Sequence, residues 1–451
     1  MSAALAAAVL ELVRAAAPGA EAEVTAGHGT HALTRFANSF VHQNVADTAT
    51  RVRLRLHVDG RTASGSTAAT DPGALGRLVA GAVAAARMLP PDAGWPGLGG
   101  PAPVLTPGNR DEVTADTPPE ARVAVVRDFV AAAGGLETAG YCRTGTETLY
   151  YANTAGQVAE SSYTAAAADG IARTPAGPDG LRADGVARRG GVAIAGLDGT
   201  ALGTVAAAKA RAGADPVELP PGRYEVVLEP SAVADLLTYL GLYGFNGRLV
   251  NEGRSFLAPG TAQFDAAVTL DDDATDPAAV GPGFDAEGTP KRRTPLVAGG
   301  VAGGPVHDRR TAREAGTEST GHAVPGGEQF GAAPLNLFLR PGGGGSVDHL
   351  VAGMERGLLV SDLWYTRVLD PKTLVVTGLT RNGVWLVEDG RVRRAVRNLR
   401  FTQSYPEALA AGAVLAAGSE PVSVPVSWDL GVLSTPALRL ASWNMTGGAS
   451  G

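Results

Sequence analysis

The run from Tyr224 to Leu257, YEVVLEPSAVADLLTYLGLYGFNGRLVNEGRSFL, constrains the fold more than any other stretch. Val226, Val227 and Leu228 make a short, continuous apolar strand of the fully buried kind. Pro230 ends that strand and suits the first turn of a helix, where a missing N–H costs no hydrogen bond. Val233, Leu236, Leu237 and Leu240 then recur at helical spacing and form one apolar face. Gly241, Gly244 and Gly247 mark a glycine-rich exit. A strand and a helix this apolar both require a core, so the segment belongs inside a domain.

At 451 residues the chain is too long for one simple core, and two or three domains are expected. Three prolines between Asp215 and Arg223 place the main boundary. The pattern predicts an N-terminal α/β domain over residues 1–218 and a β-rich, barrel- or sandwich-like domain over 219–451, an α+β chain as a whole. In the first part, residues 2–17, Pro72–Met88, Pro119–Ala133 and Gly199–Ala212 read as helices. Ala22–Ala26, His31–Phe36, Val52–Val58, Thr146–Tyr151, Gln157–Ser162 and Val192–Ala195 read as strands, and Asp59-Gly60 as a tight turn. Residues 89–119 are a Pro/Gly-rich connector. In the second part Leu296–Val301, Leu335–Leu339, Leu358–Leu363, Thr373–Gly378, Val384–Glu388 and Val392–Phe401 read as strands, and Val347–Arg356 as a helix. Residues 271–295 suit a long exposed loop, Gly342–Gly345 a flexible one, and the tail beyond Thr446 a frayed end.

Composition excludes several functions. A net charge of −7 without a basic patch argues against a nucleic-acid surface. No apolar run reaches the roughly 18 residues of a membrane span, and the N-terminus reads as an amphipathic helix, so a cytoplasmic protein is expected. Cys142 is the one cysteine, which rules out an internal disulfide and any multi-cysteine zinc site; it reads as a small buried hydrophobe. There is no P-loop, no GxSxG elbow and no HExxH pair. GHGTHA, around His28 and His31, fits GxGxxA in form but lacks a βαβ context, and the two histidines would point to opposite faces of a strand. His307 and His322 bracket HDRRTAREAGTESTGH, with Asp308, Glu314 and Glu318 between them. That loop reads as solvated or partner-facing, with a stand-alone acid/base or metal site as the alternative.

Taken together, RFANSFVHQN (35–44), YYANTAGQVAES (150–161), VVLEPSAVADLL (226–237), NEGRSFL (251–257), DRRTAREAGTESTGHA (308–323), MERGLLVSDL (354–363) and the strands from Gly383 to Ser404 resemble the TldD/PmbA family, in its PmbA (TldE) branch. The resemblance spans about residues 20–440. It implies a heterodimer of a TldD-type and a TldE-type chain that cleaves flexible or unfolded peptides, a class implicated in peptide-antibiotic maturation and antitoxin degradation. The TldD-type chain carries zinc on HExxxH in a helix, plus a cysteine near the C-terminus. Aligned through the preceding Leu-Leu, the first histidine position falls on Thr238, the glutamate on Tyr239 and the second histidine on Tyr243, and Glu420–Gly451 contains no cysteine. Hydroxyls do not replace imidazole and thiolate as zinc ligands. The resemblance therefore implies a non-catalytic subunit without its own zinc, acting with an HExxxH-containing partner. A peptide-binding homodimer without catalysis is the alternative. Tyr239 and Tyr243 share a helix face that could line a channel, contact a partner or complete the core; with His322 they are the candidate peptide or partner contacts.

Overall fold

The computed structural model describes residues 2–106, 108–177, 180–426 and 431–448. The first half contains α1 (Ser2–Ala16), β1 (Glu21–Ala37), β2 (Phe40–Val58), β3 (Arg61–Thr67), α2 (Pro72–Met88), α3 (Glu112–Ala115), α4 (Pro119–Ala132), β4 (Glu137–Asn153), β5 (Val158–Arg173), β6 (Asp184–Gly191) and α5 (Gly199–Ala212). The second half continues with β7 (Gly222–Leu228), α6 (Pro230–Tyr239), α7 (Gly247–Asn251), β8 (Leu270–Asp272), β9 (Thr294–Ala298), β10 (Val301–Ala302), α8 (Arg309–Ala315), β11 (Leu337–Leu339) and α9 (Val347–Ala352). Then come β12 (Arg356–Asp370), β13 (Val375–Glu388), β14 (Arg391–Ala395), β15 (Leu399–Ser404), α10 (Tyr405–Ala408), β16 (Val414–Ala417), β17 (Val422–Pro425), β18 (Val432–Thr435) and β19 (Leu438–Gly448).

In the first half the strands form one antiparallel sheet in the order β3-β2-β1-β4-β5-β6. Val52, Leu54 and Leu56 alternate inward and meet α1 and α2 in a core with Val9, Val13 and Val79. Asp71 caps α2 through the Ala74 N–H (2.9 Å), Pro72 follows at its first turn, and Arg87 sits in its last, as helix ends favour. Asp59 and Gly60 both take positive φ (52° and 72°), which the β2–β3 hairpin turn requires. A second core lies under α4 and α5, where Phe129, Ala206, Ala207 and Ala210 pack on Cys142 and Ala168.

The second half is a mixed barrel with a flanking sheet. β12, β7, β19, β15 and β13 are neighbours in turn, and β12 also pairs with β13, so the ring closes. β14 and β16 extend it. The flanking sheet has the order β10-β9-β8-β11-β18-β17. Between the two lies the large core that holds Val226, Leu228, Leu236, Leu237, Phe401 and Trp443, and α6 is set into it by its apolar face. The fold is thus mixed α+β with a β-rich C-terminal region.

Several expectations are corrected. The two short strands predicted within 22–36 are one, β1, and Val52–Val58 is only the inner end of β2. Val192–Ala195 is not a strand: β6 ends at Gly191 and Ile194–Gly196 make a 3₁₀ turn. Leu296–Val301 is split between β9 and β10 by Gly299 and Gly300 at positive φ (53° and 83°), and Val392–Phe401 is divided between β14 and β15. The tail expected to fray beyond Thr446 is still strand at Gly448, where β19 ends; residues 449–451 lie outside those described. Residues 271–295 are not an exposed loop: Asp271, Asp272, Asp285, Glu287 and Lys291 are buried. The buried acids there take partners inside the fold, although Asp271 Oδ1 is left without one among the described residues. Asp285 accepts from the backbone N–H groups of Glu287, Thr289 and Ala323 (2.9 Å each), and Asp271 takes Arg293 and Arg340 (3.0 and 2.7 Å).

Candidate functional site

The helix α6 presents its polar side to a cleft of about 350 Å³. Beyond Tyr239 the helix widens into a π-turn, Leu240–Gly244, a local form that recurs at functional sites. Gly244 fits there because a Cβ would stand 2.8 Å from the Phe256 ring. The hydroxyls at the three aligned positions are mostly committed. Thr238 donates back to the Ala234 carbonyl (2.8 Å), and Tyr239 donates to the Thr366 carbonyl (2.8 Å). Tyr239 and Tyr243 stack at 6.2 Å between centroids, and Tyr243 meets Phe330 edge-on. Thr238 and Tyr239 line the cleft, while Tyr243 packs against the barrel core as a half-buried ring.

Asp235, one turn before Tyr239, is the residue that sequence reasoning missed. Its carboxylate lines the same cleft, accepting from Thr366 Oγ1 (3.0 and 3.2 Å to its two oxygens) and from the Tyr405 hydroxyl (3.2 Å). Loss of hydration pushes its pKa up to about 7, and neither hydrogen bonds nor the more distant Arg188 bring it back. The signal was present as one acid in an otherwise apolar VADLL turn.

The far wall is ionic. Arg188, on β6, bridges Asp362 on β12 (2.9 and 3.3 Å) and Asp169 on β5 (3.2 Å), and Asn382 adds a hydrogen bond to Asp362 (3.1 Å). Val424, Pro425 and Leu433 supply an apolar side. At the rim stand Trp364 and Tyr365, 49% and 64% exposed, with Arg381 and Arg367 over their rings.

The histidine loop is not solvated at its ends. His307 and His322 are buried, and both are tied to Thr320: its hydroxyl binds the His307 backbone and stands 2.9 Å from His322 Nδ1. His322 Nε2 lies 3.2 Å from Asp272, and His307 Nδ1 lies 3.1 Å from Thr311. At 2% exposure, His322 offers no surface for a peptide or partner. Asp308 caps α8 through the Thr311 N–H (2.7 Å), and Glu314 and Glu318 are exposed, so the acids do not converge on the histidines. The arginines of α8 hold the 89–119 connector instead: Arg310 takes Asp92 bidentately (3.0 and 2.8 Å), and Arg309 reaches the Gly97 carbonyl (3.1 Å). His28 and His31 fall in β1 and bind different partners, Thr50 (2.9 Å) and Glu147 (3.2 Å). Cys142 is fully buried in β4, and burial pushes its thiol up to about 12. Among the described residues, no three His, Cys, Asp or Glu side chains come together as a metal site. Two hydroxyls spent on backbone carbonyls and a stacked tyrosine do not fit zinc.

Comparison with known proteins bears on these features. The family profile described as PmbA/TldA metallopeptidase C-terminal domain matches residues 221–447, half of the chain. The crystal structure of TldE from Thermococcus kodakarensis superposes with a TM-score of 0.86 at 19% identity, covering 98% of this chain and 100% of that one. A Thermotoga maritima protein described as a candidate modulator of a DNA gyrase gives 0.81 at 18% identity, over 97% and 99% of the two chains. One from Bacteroides thetaiotaomicron with the same description gives 0.84 at 18%, over 99% and 98%. At such identities these are likenesses of fold. An uncharacterized protein of Methanocaldococcus jannaschii is 36% identical over 119 residues, which span 26% of this chain and only 29% of that protein.

Proposed function

Since the chain belongs to the PmbA/TldD metallopeptidase family, we propose that it is the non-catalytic, TldE-like subunit of a cytoplasmic zinc peptidase and acts with a TldD-type, HExxxH-containing partner. One observation carries the reading: the helix face that would bear metal in the partner here bears Thr238, Tyr239 and Tyr243, engaged with Ala234, Thr366 and Phe330. Among the described residues, no helix is long and apolar enough to cross a membrane.

The residues of this chain would serve by shape and positioning. The cleft beside α6 is open and polar on one side and apolar on the other, which suits a segment of extended peptide. Cleavage would belong to the partner. The test is co-expression with an HExxxH-containing relative. A 1:1 complex with zinc in the partner and peptidase activity absent from this chain alone is expected. Stoichiometric zinc in the isolated chain, or peptide cleavage by it, would overturn the reading. A peptide-binding homodimer that gains nothing from the partner would move it to a scaffold.

A further inference from the structure

Asp235 is a half-buried carboxylate with no cation of its own. A carboxylate has about four acceptor positions, and Thr366 and Tyr405 supply one hydroxyl each. Among the described residues, no Lys, Arg or His forms an ion pair with it. The positive groups nearby are committed: Arg188 to Asp362 and Asp169, and Arg367 to the Thr366 carbonyl (2.7 Å) and the Tyr365 ring. The titratable lining, Asp169, Asp235 and Asp362 against Arg188 and Arg367, therefore has one negative charge in excess when Asp235 is ionised. Carboxylates that lose part of their hydration are ordinarily paired, because an unpaired one gives up that hydration without recompense. Here the unpaired one is also fixed, held by the hydroxyl of a fully buried tyrosine, Tyr405, and it opens into a cleft.

We propose that this cleft is a subsite for one positively charged group of a bound peptide, an alkylammonium or guanidinium that ion-pairs with Asp235 while its aliphatic stem lies along Val424, Pro425 and Leu433. The volume, at the low end of the range of about 300–1,000 Å³ for ligand sites, suits one side chain or one chain terminus, not a folded partner. Tyr239, its hydroxyl turned to Thr366, offers an aromatic wall of the kind cations favour. A lysine or arginine side chain and a free N-terminal amine share this chemistry. The inference rests on the reading that this chain holds peptide, but not on the zinc of a partner.

The groups facing Asp235 are Thr366, Asp362 and Arg367 on β12, Tyr405 on α10, Tyr239 on α6, and Arg188 on β6. With its carboxyl titrating near 7, binding a cation should release about half a proton at pH 7, and affinity should fall as pH is lowered. Calorimetry on the full chain, in buffers of different ionisation enthalpy, would read this. Three eight-residue Gly/Ser/Ala peptides serve as probes: fully blocked and uncharged, blocked with one central lysine, and uncharged with a free N-terminus. At least one cationic peptide is expected to bind about tenfold tighter than the neutral one, and which one does so identifies the source of the cation. Asp235→Asn should reduce that advantage below about twofold. Thr366→Val, which keeps the side-chain shape and removes one donor to the carboxylate, should reduce it partly, with circular dichroism checking both folds. Equal affinity for all three peptides, or an advantage that survives Asp235→Asn, overturns the subsite while leaving peptide holding intact. If no peptide binds, n-butylammonium and ethylguanidinium decide: binding lost in Asp235→Asn keeps the subsite and removes peptide holding, and no binding removes both.

Discussion

At the scale of single residues, Asp235 has an opposite effect on stability from a surface acid. Its folded pKa, near 7, lies above the ordinary aspartate value of 3.8, so between those values the folded chain holds a proton that the unfolded chain has lost. Stability from this site is therefore greatest near pH 4 and declines as pH rises through 7. Asp235→Asn removes the titration but keeps an acceptor for Thr366 and Tyr405. A tenfold change in proton affinity is about 1.4 kcal/mol, and water in the cleft screens part of the full shift. The variant is thus expected to be more stable than the parent by about 1–3 kcal/mol at pH 8 and to match it near pH 4. Urea denaturation at the two pH values checks this, and a variant less stable at pH 8 would show the carboxylate to be stabilised by its neighbours. Such a gain would identify Asp235 as a position where stability is sacrificed to binding. The site was only half legible in sequence. Thr238, Tyr239 and Tyr243 stand out because a motif can be laid over them, whereas Thr366, Tyr405 and Arg188 arrive from 131, 170 and 47 positions away along the chain. His322 was misplaced for the same reason, since its partner Asp272 is distant in sequence and its burial leaves no local mark.

At the scale of elements, small residues decide how closely helices approach strands. α5 lies on β6 through Ala206, Ala207 and Ala210, and at Gly185 a Cβ would meet the Ala206 carbonyl oxygen at 2.1 Å and the Ala210 nitrogen at 2.4 Å. Both contacts are backbone, so neither can swing aside. Gly185→Ala is expected to cost about 1–3 kcal/mol by forcing helix and sheet apart, read as a lower urea midpoint with circular dichroism retaining helix. An unchanged midpoint would mean that α5 shifts freely on the sheet. The helix itself is plain in sequence, because alanine at helical spacing is a strong local signal, but the reason for Gly185 exists only across the interface. β2 shows the reverse limit. From Phe40 to Thr48 it is exposed on both faces, so the alternation that reveals Val52–Val58 has nothing to act on. α8 was hidden too: RRTAREA has no apolar stripe because its arginines are used on Asp92 and Gly97.

At the scale of the whole molecule, the N-terminal sheet meets the barrel and its flanking sheet through ionic contacts that no local pattern announces. Arg55 on β2 lies between Glu23 and Glu287, with 2.8 Å to the latter, and Arg188 on β6 reaches Asp362 on β12 at 2.9 Å. Buried pairs of this kind add little net stability compared with apolar packing, but losing one partner is costly, because the remaining charge keeps its desolvation penalty. Arg188 is the test case here, since it bridges Asp169 and Asp362 at the cleft beside α6, and Asp362 is only 4% exposed. Arg188→Met would leave Asp169 and Asp362 facing each other without a cation, and a loss of about 3–5 kcal/mol is expected. Asp362→Asn in the same chain removes one of the two stranded charges and leaves Asn382 a partner. The double variant should therefore recover part of the loss, giving a coupling between the two positions of more than about 1 kcal/mol. Denaturant unfolding of the parent, both single variants and the double variant supplies that cycle. A cost below about 1 kcal/mol for Arg188→Met, or additive effects in the double variant, would mean that water replaces the guanidinium and that the contact between sheet and barrel is held by its apolar surfaces alone. The cycle also bears on function, because Arg188, Asp362 and Asp235 line one cleft. A junction that loosens without Arg188 would make the wall opposite α6 part of how the two halves stay together.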